Sequence, residues 1–417
     1  MMHKVWPTKV PRAFLILVNA YVLFLLLKKG TAFHNITMGL LLLCLIMLGL
    51  KCGRRFFALP ERGFLWLYGI FFGTILLASL LCGDWNSICD AFQFLWISTS
   101  FWLMYFVFRR FLQPQQIAWA VLLGSVILPV ASCCSFVLEG FNRFATEVFN
   151  LHPNRIAALM ALYIPLMWMA LRDLRQSPSK EHRWLLWLGR AGLAIAVVAM
   201  FLTGSRGCII GFLVGGATVC FLRFLLHRFS ISAVKLIAGF FLIIAALGIG
   251  GGMLMIHHFG RISDVERVYL AKSCYHMWQD HKLYGVGFSR WAEEYHSHYV
   301  LPEAKEPELG FAHNIVTQSF ATTGTIGGVG ALVFLLGMFV LLLRRIHEQP
   351  DNIYLQMILW GYIGILAHGL VNSAFGVGDR YVERIFFGFL GLALATADNQ
   401  QSRQEEQGRL QIEAEER

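Results

Sequence analysis

Two arginines and one histidine carry the side chains most suited to chemistry in this sequence. Arg206 lies in Thr203-Gly-Ser-Arg-Gly207, Arg267 lies in a polar segment at about 256–310, and His313 follows that segment. Guanidinium groups bind anions, and an imidazole with its ordinary pKa of about 6.5 can accept a proton near neutral pH. If the three side chains share one side of a membrane, they suit a reaction on an anionic, lipid-linked substrate.

Arg206 is predicted to start a helix, because one apolar run ends just before it and another begins almost at once. The chain must then turn at 204–207. A helix N-terminus adds N–H groups and a positive dipole end to the arginine charge, which makes an anion site that Ser205 could support. The flanking glycines favour close approach of a ligand. The alternative is an arginine that only reaches toward the membrane interface.

Residues 264–281 have the periodicity of an amphipathic helix. The predicted apolar face holds Leu270, Ala271, Cys274, Met277 and Trp278, and the predicted polar face holds Glu266, Tyr269, Ser273, His276 and Asp280. Arg267 falls in the middle of the apolar face, where a guanidinium usually has a specific anionic partner. The alternative for this helix is a cover on the membrane surface whose arginine reaches lipid headgroups. The alternative for His313 is a capping or interfacial histidine.

The remaining polar residues give no metal-binding pattern. The histidines of the 256–310 segment have no standard zinc spacing and the chain has no Asp-x-Asp pair, so we expect neither a metal nor a cofactor. Asp84 and Asp90 are expected to be solvated charges. Residues 150–154 are predicted to form a turn, and the alternative is a polar lining for a substrate cleft that includes Asn154.

The composition identifies a polytopic membrane protein. Of the 417 residues, 57% are hydrophobic and 14% are charged, and the mean hydropathy is +0.59, which is too apolar for a soluble protein of this size. A transmembrane helix needs about 20 apolar residues. We therefore predict an all-α fold with about twelve transmembrane helices and one long extracytoplasmic loop, about 256–310, that carries the amphipathic helix. The predicted spans are 13–27, 33–50, 63–82, 92–108, 116–137, 156–171, 185–203, 207–226, 233–255, 314–343, 354–372 and 383–397.

The basic residues cluster at the ends of the predicted spans instead of forming one face. The net charge of +10 therefore reflects membrane topology, and we expect no nucleic-acid partner. With the N-terminus inside, the inner segments hold most lysines and arginines, and Lys28 and Lys29 are the chief exception. We expect both termini in the cytoplasm and the 256–310 loop outside. One transmembrane domain, 1–398, is then followed by an acidic cytoplasmic tail, 399–417.

Four motifs occur in order between about residues 150 and 330. They are His152-Pro-Asn154, Thr203-Gly-Ser-Arg-Gly-Cys-Ile-Ile-Gly211, Glu266-Arg267-Val-Tyr-Leu270 with His281-Lys-Leu-Tyr-Gly-Val-Gly287, and Phe311-Ala-His-Asn-Ile315 with Thr323-Gly-Thr-Ile-Gly327. In the same order, they resemble four motifs of the bacterial O-antigen ligase and polymerase family. These are an NPN motif, an arginine motif at the outer membrane edge, a loop arginine followed by HPLxGVG, and AHN followed by TGxxG. His152 replaces the usual first asparagine, and Lys282 replaces the usual proline.

The resemblance implies an integral-membrane glycosyltransferase of the GT-C type that uses a glycan linked to undecaprenyl pyrophosphate. Arg206 and Arg267 would hold the donor pyrophosphate, and His313 would be the base for the acceptor hydroxyl. The residues that would support them are Ser205, Asn314 and Asn154. The favoured acceptor is lipid A–core, which makes the protein an O-antigen ligase of the bacterial inner membrane with its site on the periplasmic side.

Three further functions remain open at the level of the sequence. A polymerase would use the same donor and a glycan acceptor, and a protein O-oligosaccharyltransferase would use a protein, although its relatives often carry an extra C-terminal region. A lipid-linked glycan flippase belongs to another class. It is expected to bury charges along a central path, whereas the ionisable residues here concentrate at one edge.

Overall fold

The computed structural model describes residues 11–28, 31–52, 57–176, 183–240, 262–372 and 380–415. Residues 233–240 are helical, and the rest of the span predicted at 233–255 lies outside the described residues, as do the first residues of the long loop (256–310). The main helices are α1 (Arg12–Leu26), α2 (Thr31–Cys52), α3 (Arg62–Cys82), α4 (Trp85–Arg110), α5 (Ala118–Leu138), α6 (Pro153–Gln176), α7 (Arg183–Leu202), α8 (Arg206–Arg228), α9 (Ile262–Asp280), α10 (Ile315–Glu348), α11 (Ile353–Gly369) and α12 (Tyr381–Glu415).

The predicted polytopic all-α architecture is confirmed. Eight of the described helices, α2 to α8 and α10, are long and apolar enough to cross a membrane, and α1 and α11 are shorter apolar helices. The last helix, α12, continues from its buried first half into the exposed C-terminal residues without a break. The division into a transmembrane domain and a separate tail therefore stays a prediction.

Glycines allow the helices that carry the candidate site to pack closely. Gly207, Gly211 and Gly215 lie on one face of α8, and a Cβ added at these positions would meet atoms of Val371, Ala367 and Trp360 at 2.2, 2.5 and 2.7 Å. A stripe of small residues at this spacing lets two membrane helices approach each other backbone to backbone. The N-terminus of α8 is thereby held against the C-terminal end of α11.

Buried charges gather at the ends of the described bundle. We call the end that carries the long loop the loop end, and the opposite end the far end. At the far end, buried Arg345 of α10 pairs with Asp398 of α12, and Asp398 also accepts a hydrogen bond from Tyr105 of α4 at 2.7 Å. These pairs tie α4, α10 and α12 together away from the candidate site.

The predicted amphipathic helix is α9, and it belongs to a small core within the long loop. Leu270, Cys274 and Met277 pack with residues from the rest of the loop, such as Trp291 and Tyr295. On the predicted polar face, Glu266 and Ser273 are buried, with 2% and 1% of their surface exposed. The segment at 295–309 covers them: Ser273 Oγ donates to the Tyr299 carbonyl at 2.7 Å, and the Lys305 N–H donates to Glu266 at 2.9 Å.

The long loop is seated on a break in α10 at Gly324, where the backbone has φ 60° and ψ −160°. Four backbone hydrogen bonds of 2.8–3.1 Å cross this junction, two in each direction. They run from Val286 to Ala321, from Gly287 to Thr322, from Thr325 to Lys282 and from Ile326 to Leu283, with the donor first. The break frees two carbonyls and two N–H groups of α10, and the turn at 282–287 satisfies all four.

Two aspartates anchor the same loop to the bundle, so the prediction that they are solvated charges is wrong. Asp84 caps the first turn of α4 and accepts a hydrogen bond from Arg290 Nε at 2.9 Å. Asp90 Oδ1 lies 3.5 Å from Nη2 of buried Arg380, and the same nitrogen donates a hydrogen bond to Ser289 Oγ at 2.8 Å. Each carboxylate meets an arginine from a distant part of the chain, which sequence spacing alone does not reveal.

We predict that Gly324→Ala and Gly285→Ala each prevent stable seating of the loop. Both glycines have positive φ, and an added Cβ would lie 2.3–2.4 Å from main-chain atoms across the junction. Overpacking and backbone strain together should cost roughly 2 to 6 kcal/mol. Thermal unfolding and limited proteolysis of the purified variants measure the effect. Gly310→Ala is the matched control, since nothing lies within 4 Å of its added Cβ, and a Gly324→Ala protein as stable as this control would contradict the prediction.

Candidate functional site

Arg206 is placed where the sequence predicts it, as the first residue of α8 and exposed at the loop end. Ser205 is the N-cap, but its side chain makes no capping hydrogen bond. Gly204 has φ 62°, and a Cβ added there would lie 3.8 Å from the side chain of Arg143, whereas a Cβ added at Gly207 would lie 2.2 Å from Val371. Gly207 therefore serves the close packing of α8 on the turn that holds Val371. Close approach of a ligand to this motif stays a prediction.

His313 has an uncommon backbone conformation, with φ 53° in the left-handed region. The next residue, Asn314, explains why α10 begins here: its side chain accepts hydrogen bonds from the N–H groups of Val316 and Thr317 at 2.9 and 3.1 Å. Strained backbone of this kind persists only where the surrounding structure holds it, and it clusters at functional sites. This backbone conformation, which the sequence does not reveal, is independent support for a functional role of His313.

Arg206 and His313 flank the same short turn, residues 370–372. On one side, Gly207 packs on Val371. On the other side, Asn314 Nδ2 donates to the Leu370 carbonyl at 3.0 Å, and His313 makes a hydrogen bond with Asn372. The turn after α11 therefore brings the N-termini of α8 and α10 together.

Arg267 of α9 lies within electrostatic range of His313 and also of His368, which is in the last turn of α11. His368 is 1% exposed, and its Nδ1 has no hydrogen-bond partner. The structure thus brings the predicted Arg267 and His313 together and adds a second imidazole. His368 is missed by the sequence reasoning because it lies inside an apolar run with no motif around it.

Arg143 is a further cation that the sequence reasoning missed. It follows α5, donates a hydrogen bond to Asn154 Oδ1 at 2.9 Å, and leaves its Nε without a partner. Burial lowers the pKa of Arg143, and the charge of nearby Arg206 acts in the same direction. His152 lies within electrostatic range of both Arg143 and His313, so it connects the two halves of the site.

The three predicted supporting residues have different surroundings. Asn154 holds Arg143, so it positions a cation of the site. Asn314 caps α10 and fastens it to the turn after α11, which makes its contacts structural. Ser205 is 6% exposed, and its N–H group donates to Thr203 Oγ1 at 3.3 Å.

The environment of His313 changes the expectation for its proton affinity. Burial lowers the pKa of His313 to about 4, the positive charge of Arg267 acts in the same direction, and the hydrogen bond with Asn372 opposes both. The prediction of a near-ordinary pKa is therefore wrong for the free protein. The imidazole is neutral at pH 7 and can accept a proton, but it is a weak base until an anion arrives nearby.

A second group of cations, Lys28, Arg155 and Arg384, lies at the same end of the bundle. Burial lowers the pKa of Lys28 to about 8, and the charges of Arg155 and Arg384 act in the same direction. The Arg155 guanidinium lies 5.9 Å from the centroid of the Phe311 ring, which in turn lies 4.7 Å from the ring of His313. Arg155 is therefore separated from the imidazole by one aromatic ring, and the charges of Arg155 and Arg384 also interact with the buried carboxylate of Glu383.

Within the described residues, no three His, Cys, Asp or Glu side chains come together as a group that could hold a metal ion. Instead, the polar atoms at the site are mainly guanidinium and imidazole nitrogens. Guanidinium groups bind phosphate and carboxylate and do not ligate metals. The site is suited to an anion, and independence from metals stays a prediction.

Residues 191–335 match the family model of the O-antigen ligases. The matched segment covers about a third of the chain and contains Arg206, Arg267 and His313. The predicted resemblance is confirmed, and it supports a membrane glycosyltransferase of the O-antigen ligase or polymerase type. The His152-Pro-Asn154 motif and Arg143 lie outside the matched segment. Among curated proteins, none matches this sequence.

We predict that His313, in the segment that matches the family model, titrates near pH 4 instead of near 6.5, and that Arg267→Gln raises its pKa by removing a neighbouring positive charge. NMR of protein with labelled histidine measures both values, and the His313→Gln spectrum assigns the signal. Lys272→Gln, on the exposed side of the same helix, is the control and should leave the titration unchanged. A midpoint near 6.5 in the wild type would show that the imidazole is solvated.

Proposed function

We propose that the protein transfers a glycan from undecaprenyl pyrophosphate to lipid A–core at the periplasmic face of the bacterial inner membrane, as an O-antigen ligase that needs no metal. The observation that carries this proposal is the convergence of Arg206, Arg143, Arg267 and His313 around the turn at 370–372. Three guanidiniums beside one neutral imidazole match a pyrophosphate leaving group and an acceptor hydroxyl. Both termini would lie in the cytoplasm.

The donor pyrophosphate is assigned to the arginines. In the transfer, the acceptor oxygen attacks the anomeric carbon, and the bond from that carbon to the pyrophosphate oxygen breaks. The departing pyrophosphate gains negative charge, which Arg206 and Arg267 are positioned to stabilise. A positioned donor of this kind contributes about 3 kcal/mol in comparable sites. Arginine also suits a pyrophosphate because its planar fork binds two oxygens at once.

His313 is assigned as the base that takes the acceptor proton. In the free protein its pKa is held down to about 4 by burial and by Arg267. A bound pyrophosphate diester carries two negative charges, which oppose the effect of Arg267 and raise the proton affinity of the imidazole. The base would then become effective only when the donor is present, and the proton would pass on to solvent as the product leaves.

The second cation group suits the acceptor. Arg155 lies beyond Phe311 from the imidazole, and Lys28 is within electrostatic range of Arg155 and Arg384, so an acceptor that carries phosphate could be held with its hydroxyl toward His313. A phosphorylated lipid A–core fits this arrangement. A second carrier-linked glycan, the acceptor of a polymerase, also carries pyrophosphate, and the polymerase therefore remains the alternative on the same donor.

A protein acceptor and a transport function have less support. A protein O-oligosaccharyltransferase does not need a cation group for its acceptor. A flippase would place charged groups along the path between the two membrane surfaces. In the described part of the chain, the buried charged residues instead lie near helix ends or in adjoining turns, as Arg345, Arg380 and Glu383 do.

We predict that Arg206→Ala, Arg267→Ala and His313→Ala each lower transfer at least about a hundredfold without lowering the amount of folded protein, because each removes a group that acts on the reacting bonds. Arg267→Lys should also be poor, since lysine lacks the planar fork. Transfer is measured with purified protein and a lipid-linked glycan. Lys272→Ala is the control on the same helix as Arg267. Full activity in any two of the three alanine variants would defeat the assignment.

Reconstitution identifies the acceptor. We expect that protein supplied with undecaprenyl-pyrophosphate-linked glycan and lipid A–core makes a glycan–lipid A product, and that excess chelator leaves the rate unchanged. A lengthened glycan on the carrier, formed without lipid A–core, would instead identify a polymerase. Loss of turnover in chelator that a divalent ion restores would refute independence from metals.

A further inference from the structure

A cavity of about 240 Å³ opens between α6 and α7 at the far end of the bundle, away from the candidate site. Its lining consists of three arginines, Arg172, Arg175 and Arg190, and three apolar side chains, Trp168, Leu171 and Leu193. Charged and apolar groups therefore meet in one concave surface. All of the lining residues except Leu193 precede the matched segment, which begins at residue 191, and the proposed reaction does not use this surface.

The cavity has an excess of positive charge. Within the described part of the chain, none of its three arginines forms an ion pair with an acidic side chain. Among the described residues, the charge of Asp173 interacts with that of Arg172; Asp173 is 3% exposed and accepts a hydrogen bond from Tyr354 at 2.7 Å. One buried carboxylate leaves the three guanidiniums with a net charge of about two.

The cavity lies at the depth of the membrane interface. Arg172 and Arg175 are in the last turns of α6, and Arg190 is seven residues into α7, or about 10 Å along the helix axis. Trp168 and Trp187 are 50% and 69% exposed on the outside of the same two helices, and the guanidinium of Arg190 lies 5.1 Å from the Trp187 ring. Exposed tryptophans mark the level of lipid headgroups.

We propose that this cavity binds an anionic phospholipid, with its phosphate groups between the three arginines and its acyl chains against Trp168, Leu171 and Leu193. Basic pockets between transmembrane helices bind lipid headgroups of this type. A net charge of about two favours the two phosphates of a cardiolipin over the single phosphate of other lipids. The apolar half of the lining favours a lipid over a soluble anion, because a soluble anion would leave that half in contact with water.

The position of the cavity links it to the helices of the candidate site. At its other end α6 begins with Pro153 and Asn154, and α7 leads through the turn at 203–205 into Arg206. A bound lipid would hold the far ends of both helices together. The inference does not depend on the identity of the reaction.

Native mass spectrometry of the purified full chain in detergent tests the proposal, with cardiolipin, phosphatidylcholine and glycerol phosphate as the probes. We expect cardiolipin to bind in preference to phosphatidylcholine. Arg175→Gln and Arg190→Gln should each weaken it roughly fivefold, which corresponds to about 1 kcal/mol for each arginine near a lipid surface. The matched control is Arg223→Gln, an exposed arginine near the same end of α8 and outside the cavity, which should bind cardiolipin as the wild type does.

The unfolding temperature is a second measurement, which serves for variants that fold poorly. Added cardiolipin should raise the unfolding temperature of the wild type and of Arg223→Gln, and this rise should be lost in the Arg175→Gln, Arg190→Gln double variant. Equal cardiolipin binding in all variants, or equal binding of phosphatidylcholine, would overturn the proposal. Displacement of the lipid by glycerol phosphate at equal concentration would also overturn it, since it would mean that the arginines bind a soluble anion.

Discussion

The exchange of backbone hydrogen bonds at Gly324 is the constraint on which the rest of the site depends. A helix that breaks leaves backbone polar groups unpaired, and each unpaired buried group costs about 1 to 3 kcal/mol. In α10, the turn at 282–287 pairs all four. The break and the seated loop therefore require each other. Because α9 leads directly into that turn and His313 immediately precedes α10, the same junction sets the position of Arg267 relative to the imidazole.

The site stores electrostatic repulsion as well as backbone strain. Arg206 and Arg143 face each other, Arg267 faces His313, and His313 itself has φ 53°. Like charges in a partly buried place destabilise the empty protein, and the anchors at Asp84, Asp90 and the glycine stripe of α8 hold them there. Under the proposed function, an anionic ligand would relieve this repulsion. Such a site is organised before the charge develops, which is the condition for electrostatic catalysis.

Most of the fold was predictable from the sequence because hydropathy and helical periodicity are local properties. The apolar runs predicted most of the described helix bounds to within about five residues, except the start of α4 and the end of α12, and the periodicity at 264–281 predicted α9. The covering of Glu266 and the pairing of Asp84 with Arg290 depend on contacts between distant segments, and no spacing encodes them. Arg143 did leave a signal. An arginine in a loop predicted to lie outside goes against the positive-inside bias and therefore needs a separate reason to be there.

The glycines of the motif around Arg206 have a packing role that the sequence analysis did not predict. They suggested close approach of a ligand, yet Gly207 meets Val371 and begins a stripe that packs α8 on α11. This packing also determines where Arg206 lies. Close packing fixes the register of α8, so its first residue stays beside the turn at 370–372, where His313 is also held. The glycines thus position the cation that would meet the anion, and they act through the helix that carries it.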